Sequence, residues 1–210
     1  MQKSRREFIK KNSIAILGTS VLSAASGSVL ANTTEFLSPQ NNDLLFFDAF
    51  ARIGPRKYKH PAEKWKLEDL TKELDHCSIS GALVASTLSL SYDAMYSNLE
   101  LSTMLRPYPN LFGIWNVLPH HTNECLPPKE LKVKMDQNQV RAVTIHPLSN
   151  GWDWSLESSQ ELMKQLNDHK IFTITTVSEI GGWKELNAFL KQYRSIPLLV
   201  SGISWGEQRY

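Results

Sequence analysis

The chain has 210 residues, 41% of them apolar, with 23 basic and 21 acidic side chains and a formal charge of +2. Two cysteines, Cys77 and Cys125, in no Cys-x-x-Cys or other metal-ligand spacing, make no disulfide framework; two separate half-buried thiols are the favoured reading, with a single Cys77–Cys125 pair as the alternative. No stripe of Lys and Arg runs through the chain beyond its first residues, so nucleic acid and anionic membrane surfaces are not expected partners.

Residues 4–10 read Ser-Arg-Arg-Glu-Phe-Ile-Lys, and an apolar run over 14–22 is followed by small residues up to Val29-Leu30-Ala31. The run is too short to cross a bilayer, and with its basic start it reads as a secretory signal. It resembles the twin-arginine export signal, Ser/Thr-Arg-Arg-x-Phe-Leu-Lys, with Ile9 where leucine is usual. That resemblance implies passage through the twin-arginine machinery in a folded state, to the periplasm or beyond the cell. Cleavage after Ala31 removes five of 23 basic residues and one of 21 acidic ones, leaving 18 against 20 and a formal charge of −2. Residues 32–43 are polar and carry Pro39, a flexible leader.

From residue 44 strand-like and helix-like periods alternate. Apolar runs at 44–50, 81–87, 111–118, 140–146, 171–177 and 197–201 are short and rich in β-branched and aromatic residues, as buried parallel strands are. Between them lie a loop at 51–66 and helices expected at 67–77, where Leu67, Leu70, Leu74 and Cys77 share a face, 98–105, 128–135, 158–167 with a serine cap, and 183–193. The roughly thirty-residue recurrence of strands, with no hairpin signal, predicts a parallel sheet built from βα units.

Such a sheet either closes as a (β/α)8 barrel or stays open and doubly wound. The open form normally carries a glycine-rich turn after its first strand, and Asp48-Ala-Phe-Ala-Arg-Ile-Gly54 has none. A barrel needs eight strands, and about six βα units are present. The expectation is therefore an incomplete TIM-barrel-like α/β domain over 44–210, with an open parallel α/β sheet as the alternative. Because the chain stops just after a strand, a shortened product and self-association are also expected.

Three stretches, 67–83, 112–124 (Phe-Gly-Ile-Trp-Asn-Val-Leu-Pro-His-His-Thr-Asn-Glu) and 140–147, resemble the amidohydrolase-related TIM-barrel proteins. The resemblance implies a barrel enzyme that hydrolyses or decarboxylates small molecules with a metal ion. It places the metal ligands in a His-x-His at the end of strand one, histidines ending strands five and six, and an aspartate ending strand eight. Here strand one reads Asp48-Ala-Phe-Ala-Arg52, strand five ends Thr175-Thr176-Val177, and strand six ends Val200-Ser201-Gly202. None of those ligands carries over. A rewired set of Asp48, His146, His120 and Glu179 is disfavoured, since three or four donors must converge on one ion, and no cofactor is expected.

Barrel active sites lie at the carboxyl ends of the strands. By that rule the candidates are Asp48 and Arg52, Ser86 and Thr87, Asn116 with His120 and His121, His146, Thr176 and Glu179, then Ser204 and Trp205. His146 is the acid/base candidate, since imidazole titrates near neutrality, and Asp48, interrupting Phe-Phe-Asp-Ala-Phe, is its catalytic partner. Arg52, Asn116, His120, Trp152, Thr176 and Glu179 are expected to bind a small polar substrate. Against this, His146 before Pro147 equally suits ordering of the Trp152–Trp154 loop, Asp48 suits a structural ion pair, and the tryptophans suit core cover. His60 and His76 read as surface or loop residues and His169 as a helix-end cation. The leading function is an exported, metal-free amidohydrolase-like hydrolase; its rivals are an inactive small-ligand-binding barrel and a nonfunctional fragment.

Overall fold

Six strands follow one another in strict parallel order: β1 (Phe46–Ile53), β2 (Ile79–Ser86), β3 (Leu111–Asn116), β4 (Val140–Thr144), β5 (Phe172–Thr176) and β6 (Leu198–Ser201), each paired with the next. A computed structural model describes residues 45–55 and 66–203. The signal-like start, the leader, His60, Ser204 and Trp205 lie outside those residues. A doubly wound sheet reverses its strand order at a switch point; this sheet never does. Strand order and curl are those of a partly built (β/α)8 barrel.

Helices α1 (Leu67–His76), α2 (Leu88–Ser91), α3 (Ala94–Leu105), α4 (Pro128–Gln137), α5 (Glu157–Asp168), α6 (Val177–Ile180) and α7 (Trp183–Gln192) fill the connections, with a short 3-10 turn at His120–Thr122. Alternate strand residues point to opposite faces. One face carries Leu83, Ala85, Ile114, Ala142 and Ile174, which with Phe50, Phe112 and Phe172 form the barrel interior. The other carries Trp115, Val143 and Ile145, which pack with Leu162 and Leu166 of α5 and Phe189 of α7. Both faces are apolar, which is why the strands read as continuous apolar runs.

Three sequence expectations need correction. Strand β1 runs to Ile53, not 50: past a register irregularity between Asp48 and Ala51, the residues Ala51, Arg52 and Ile53 pair with Val84, Ala85 and Ser86 of β2. Helix α3 begins at Ala94, four residues early, because the Asp93 carboxylate accepts from the Tyr96 N–H at 2.7 Å. Helix α5 has Leu156 at its N-cap with no side-chain cap, rather than a serine. Cys77 is exposed and Cys125 buried, both free thiols, and burial pushes the Cys125 thiol up to about 11. Among the described residues no helix is long and apolar enough to cross a membrane.

Candidate functional site

Where β1, β2 and β4 end, a pocket of about 310 Å³ opens, lined by Phe50, Arg52, Pro55, Ala85, Ser86, Thr87, Ser89, Leu90, Ser91, Thr144 and His146. Its rim is held by a tight contact between the first two strands. The Thr87 N–H donates to the Ile53 carbonyl at 2.9 Å, and the Thr87 hydroxyl donates to Pro55 O at 2.8 Å. Gly54 sits between them at φ +102°, where a Cβ would fall 2.5 Å from Thr87 Oγ1. Both the left-handed backbone and the close approach require glycine there.

His146 follows β4, and Pro147 after it restricts its backbone to extended geometry. Its Nδ1 lies 3.6 Å from Glu179 Oε1, an electrostatic contact longer than a hydrogen bond, with both side chains largely covered. Glu179 is itself anchored. Its carboxylate accepts the Ser149 N–H at 3.0 Å and the Ser149 hydroxyl. Thr176 caps α6 by accepting the Glu179 N–H at 3.2 Å. Thr176-Val-Ser-Glu179 is thus half of a capping box, with the glutamate turned toward Ser149 and His146.

Burial holds the His146 pKa below its ordinary 6.5; the Glu179 carboxylate opposes that shift and the Arg52 guanidinium adds to it. The imidazole is therefore neutral at pH 7. With Nδ1 turned to Glu179, Nε2 is the nitrogen left to accept a proton.

The remaining candidates divide. Arg52 is in the pocket, its guanidinium 4.4 Å above the Phe50 ring. Asp48 is not at a strand end: it is the third residue of β1, and its carboxylate accepts the Phe50 N–H at 2.9 Å, closing the bulge. The carboxylate that faces His146 is Glu179, so the expected Asp48–His146 pair is replaced by Glu179–His146. Asn116 is buried beneath the pocket, its amide donating to Ser89 O at 2.7 Å and to Asn150 Oδ1 at 3.4 Å, while its own Oδ1 has no donor. His120 Nδ1 lies 2.8 Å from Cys125 O, which makes it a loop anchor; His121 is exposed. Thr176 works as a helix cap. Trp152 lines a second, shallower groove of about 340 Å³ with Asp153 and Glu179. Trp154 covers the core, stacked edge-on against Phe189 at 5.3 Å, and its indole N–H donates to Ile180 O at 3.1 Å. His76 and His169 are exposed at helix ends.

Ser149 and Phe50 were not singled out by the sequence reading. The capping-box spacing from Thr176 to Glu179 was the available signal for a carboxylate held in place, but nothing local pointed to Ser149 as its partner.

The metal that the family resemblance implies does not fit these residues. The i, i+2 positions on the inner face of β1 are Phe50 and Arg52, β5 ends in Thr176, and β6 ends in Ser201. Among the described residues no group of three or more His, Cys, Asp or Glu is placed to hold an ion. His146 and Glu179 are two donors where three or four are needed.

No protein-family model and no curated protein matches the chain. Among solved structures, it is similar to the "probable 2-pyrone-4,6-dicarboxylic acid hydrolase" of Acinetobacter baumannii, solved with citric acid bound. There the TM-score is 0.56 at 13% identity, over 75% of this chain and 58% of the other. An amidohydrolase II structure gives 0.54 at 13% identity, over 74% and 66%, and 5-carboxyvanillate decarboxylase from Sphingomonas paucimobilis gives 0.52 at 8%, over 75% and 67%. The chain thus spans less than two thirds of the first two proteins. Likeness at these identities establishes the fold, a TIM-barrel arrangement, and no more.

Proposed function

We propose that the protein is an exported amidohydrolase-like hydrolase acting on a small polar substrate, with His146 as general base and Glu179 orienting it, and with no metal step. The observation that carries this reading is the Ser149–Glu179–His146 chain beside a pocket of about 310 Å³ at the carboxyl ends of the strands. The solved structures of similar fold include enzymes named for hydrolysis, which supports the reaction class.

In this mechanism Nε2 of neutral His146 removes a proton from water as its oxygen attacks the electrophilic carbon. The imidazolium, stabilised by Glu179, returns that proton to the leaving group as the scissile bond breaks. Ser149 does not act as a nucleophile, because its hydroxyl donates to Glu179 and not to His146. Export rests on the twin-arginine-like start; replacing Arg5 and Arg6 by lysine should retain the chain in the cytoplasm, and unchanged fractionation would remove that part.

The test is turnover of a panel of small activated esters and lactones by the full chain. His146→Gln should lower kcat at least about a hundredfold, and Glu179→Gln less, in line with general-base contributions. Unchanged turnover in His146→Gln would refute the assignment. A second reading, a ligand-binding barrel without catalysis, is favoured by the 3.6 Å separation of Nδ1 from Glu179 and by the structural employment of Asp48, Asn116 and His120. Ligand binding with no turnover across the panel would establish it.

A further inference from the structure

Among the described residues five helices run ten residues or longer, and four of them turn two or more charged side chains to solvent. Helix α5, for instance, exposes Glu157, Glu161, Lys164 and Asp168. Helix α3 departs from that pattern: its twelve residues hold a single charge, Glu100, and both of its sides are largely apolar. On the inner side Leu101 and Leu105 pack with Val84 of β2 and Leu111 of β3. On the outer side Tyr96, Leu99, Thr103 and the C-cap residue Arg106 recur at three- and four-residue spacing, which puts them on one face. Tyr96 is 68% and Leu99 45% exposed, and Thr103 and Arg106 are exposed beside them. Tyr92, 77% exposed, stands just before the N-cap residue Asp93 and extends the stripe by a turn. A helix that is apolar on all sides is one that a neighbour covers.

We propose that this face is the interface of a homodimer, in which α3 packs antiparallel on α3 of a second copy about a two-fold axis at Leu99. In such a contact the same surface serves both copies. With the axis there, Leu99 lies against its own copy. Positions about one turn on either side of it meet, Tyr96 with the partner's Thr103, and positions two turns away meet likewise, Tyr92 with the partner's Arg106. A tyrosine ring and a guanidinium attract one another. Glu100, the next residue round the helix, falls on the flank of the stripe, at the polar rim where water reaches it. The proposal is independent of the catalytic reading, since α3 covers the sheet face opposite the barrel interior.

Area and composition both favour a second copy as the occupant. Tyr92, Tyr96, Leu99, Thr103 and Arg106 expose roughly 500–600 Å² in one copy, on ~150–250 Å² for a whole large side chain. Two copies together cover roughly 1,000–1,200 Å², which passes the ~1,000 Å² at which specific interfaces begin. Tyrosine and arginine are enriched at interface cores, and lysine and glutamate are depleted there. The stripe is also self-complementary: its one charge, Arg106, meets its most exposed ring, Tyr92, so no other protein has to supply a counterpart. This contact closes at two copies. Pairing of the edge strand β1 of one copy with the edge strand β6 of the next would instead propagate.

Sedimentation of the full chain across the micromolar range tests this. The wild type should form dimers. Leu99→Glu sets two carboxylates face to face at the axis and should weaken the dimer at least about tenfold, and Leu99→Lys should do the same with two ammonium groups. An equal mixture of the two variants should regain the dimer, because each charge then faces its opposite. Circular dichroism and the melting midpoint of the dilute variants should match those of the dilute wild type, as Leu99 is already half exposed. Tyr92→Ser, outside the helix, should weaken the dimer by about tenfold without touching the fold, and it carries the test should a charge at position 99 unfold α3. Phe46→Ser, which blunts the β1 edge, should leave the dimer and remove only larger species. A wild type that stays monomeric, undiminished association in both Leu99→Glu and Tyr92→Ser, or folded Leu99→Glu and Leu99→Lys chains that fail to pair on mixing would each overturn the proposal. Dimers lost in Phe46→Ser and kept in Leu99→Glu would overturn it too, by assigning the association to the sheet edge.

Discussion

Asn98 of α3 offers the sharpest test of how the site floor is built. Its side chain is fully buried and clamps the end of β3. Asn98 Nδ2 donates to Asn116 O at 2.8 Å, and the Asn116 N–H donates to Asn98 Oδ1 at 3.0 Å. Replacing Asn98 by leucine keeps the volume but leaves a backbone N–H and a backbone C=O buried without these partners; the Cys125 thiol, 4.0 Å from Asn116 O, is a weak substitute. Each orphaned buried group costs about 1–3 kcal/mol, so the loss should be about 3 kcal/mol and lie within ~2–6. For a domain of this size that lowers the melting temperature by about 6–12 °C. The Trp115 indole and Ser102 hydroxyl bonds go to the Asn98 main-chain carbonyl and should survive. Asn98→Asp, which keeps the acceptor for the Asn116 N–H, separates the two bonds. The assay is urea unfolding of the full chain followed by tryptophan fluorescence and by circular dichroism. A change under about 0.5 kcal/mol in Asn98→Leu would refute the clamp, since buried polar groups cannot be abandoned at that cost.

His146 should titrate by NMR below 6.5, lower still in Glu179→Gln and higher in Arg52→Gln, because the first removes a charge that favours imidazolium and the second one that opposes it; movement in the opposite senses would discard the site electrostatics. In the window between its folded pKa and 6.5 the unfolded chain binds the extra proton, so stability should rise with pH there and fall as pH drops through it. His146→Gln should flatten that slope, and an unchanged slope would assign it to other groups. Gly54→Ala should cost about 1–2 kcal/mol and weaken ligand binding in the pocket, since it meets both φ +102° and Thr87 Oγ1; a neutral effect in thermal melts would contradict that geometry. Trp154→Ala should cost about 3–5 kcal/mol through lost packing on Phe189 and Tyr193, and Trp154→Phe only about 1 kcal/mol through the bond to Ile180 O; equal losses in the two would show that the indole hydrogen bond, not the ring's packing, holds this corner of the core. Phe46 and Phe47, the first two residues of the edge strand β1, are 55% and 52% exposed, so the chain should self-associate at micromolar concentration; a monodisperse monomer in sedimentation would argue otherwise.

The parallel α/β architecture was legible because it is a local property. Strands buried on both faces must be apolar throughout, and the helices between them must carry one apolar stripe, so composition and period alone located the six strands and the five longer helices to within a few residues. His146 and Arg52 were legible for a similar reason: a residue just past an apolar run in such a sheet falls at the barrel mouth. Other assignments depended on partners distant in the chain. Pairing with β2 continued β1 through Ile53, beyond its apolar run, and placed Asp48 at a register irregularity instead of the strand's end. His120 and Asn116 had plausible pocket positions, but a carbonyl five residues away took the His120 ring nitrogen and the Ser89 carbonyl, 27 residues before it, took the Asn116 side-chain amide. Only the tertiary structure decided that Glu179, held by Ser149 thirty residues before it, is the carboxylate facing His146. Periodicity is written along the chain and can be read from it; which buried polar atom satisfies which other is decided in three dimensions, where each donor takes the acceptor that folding brings within reach.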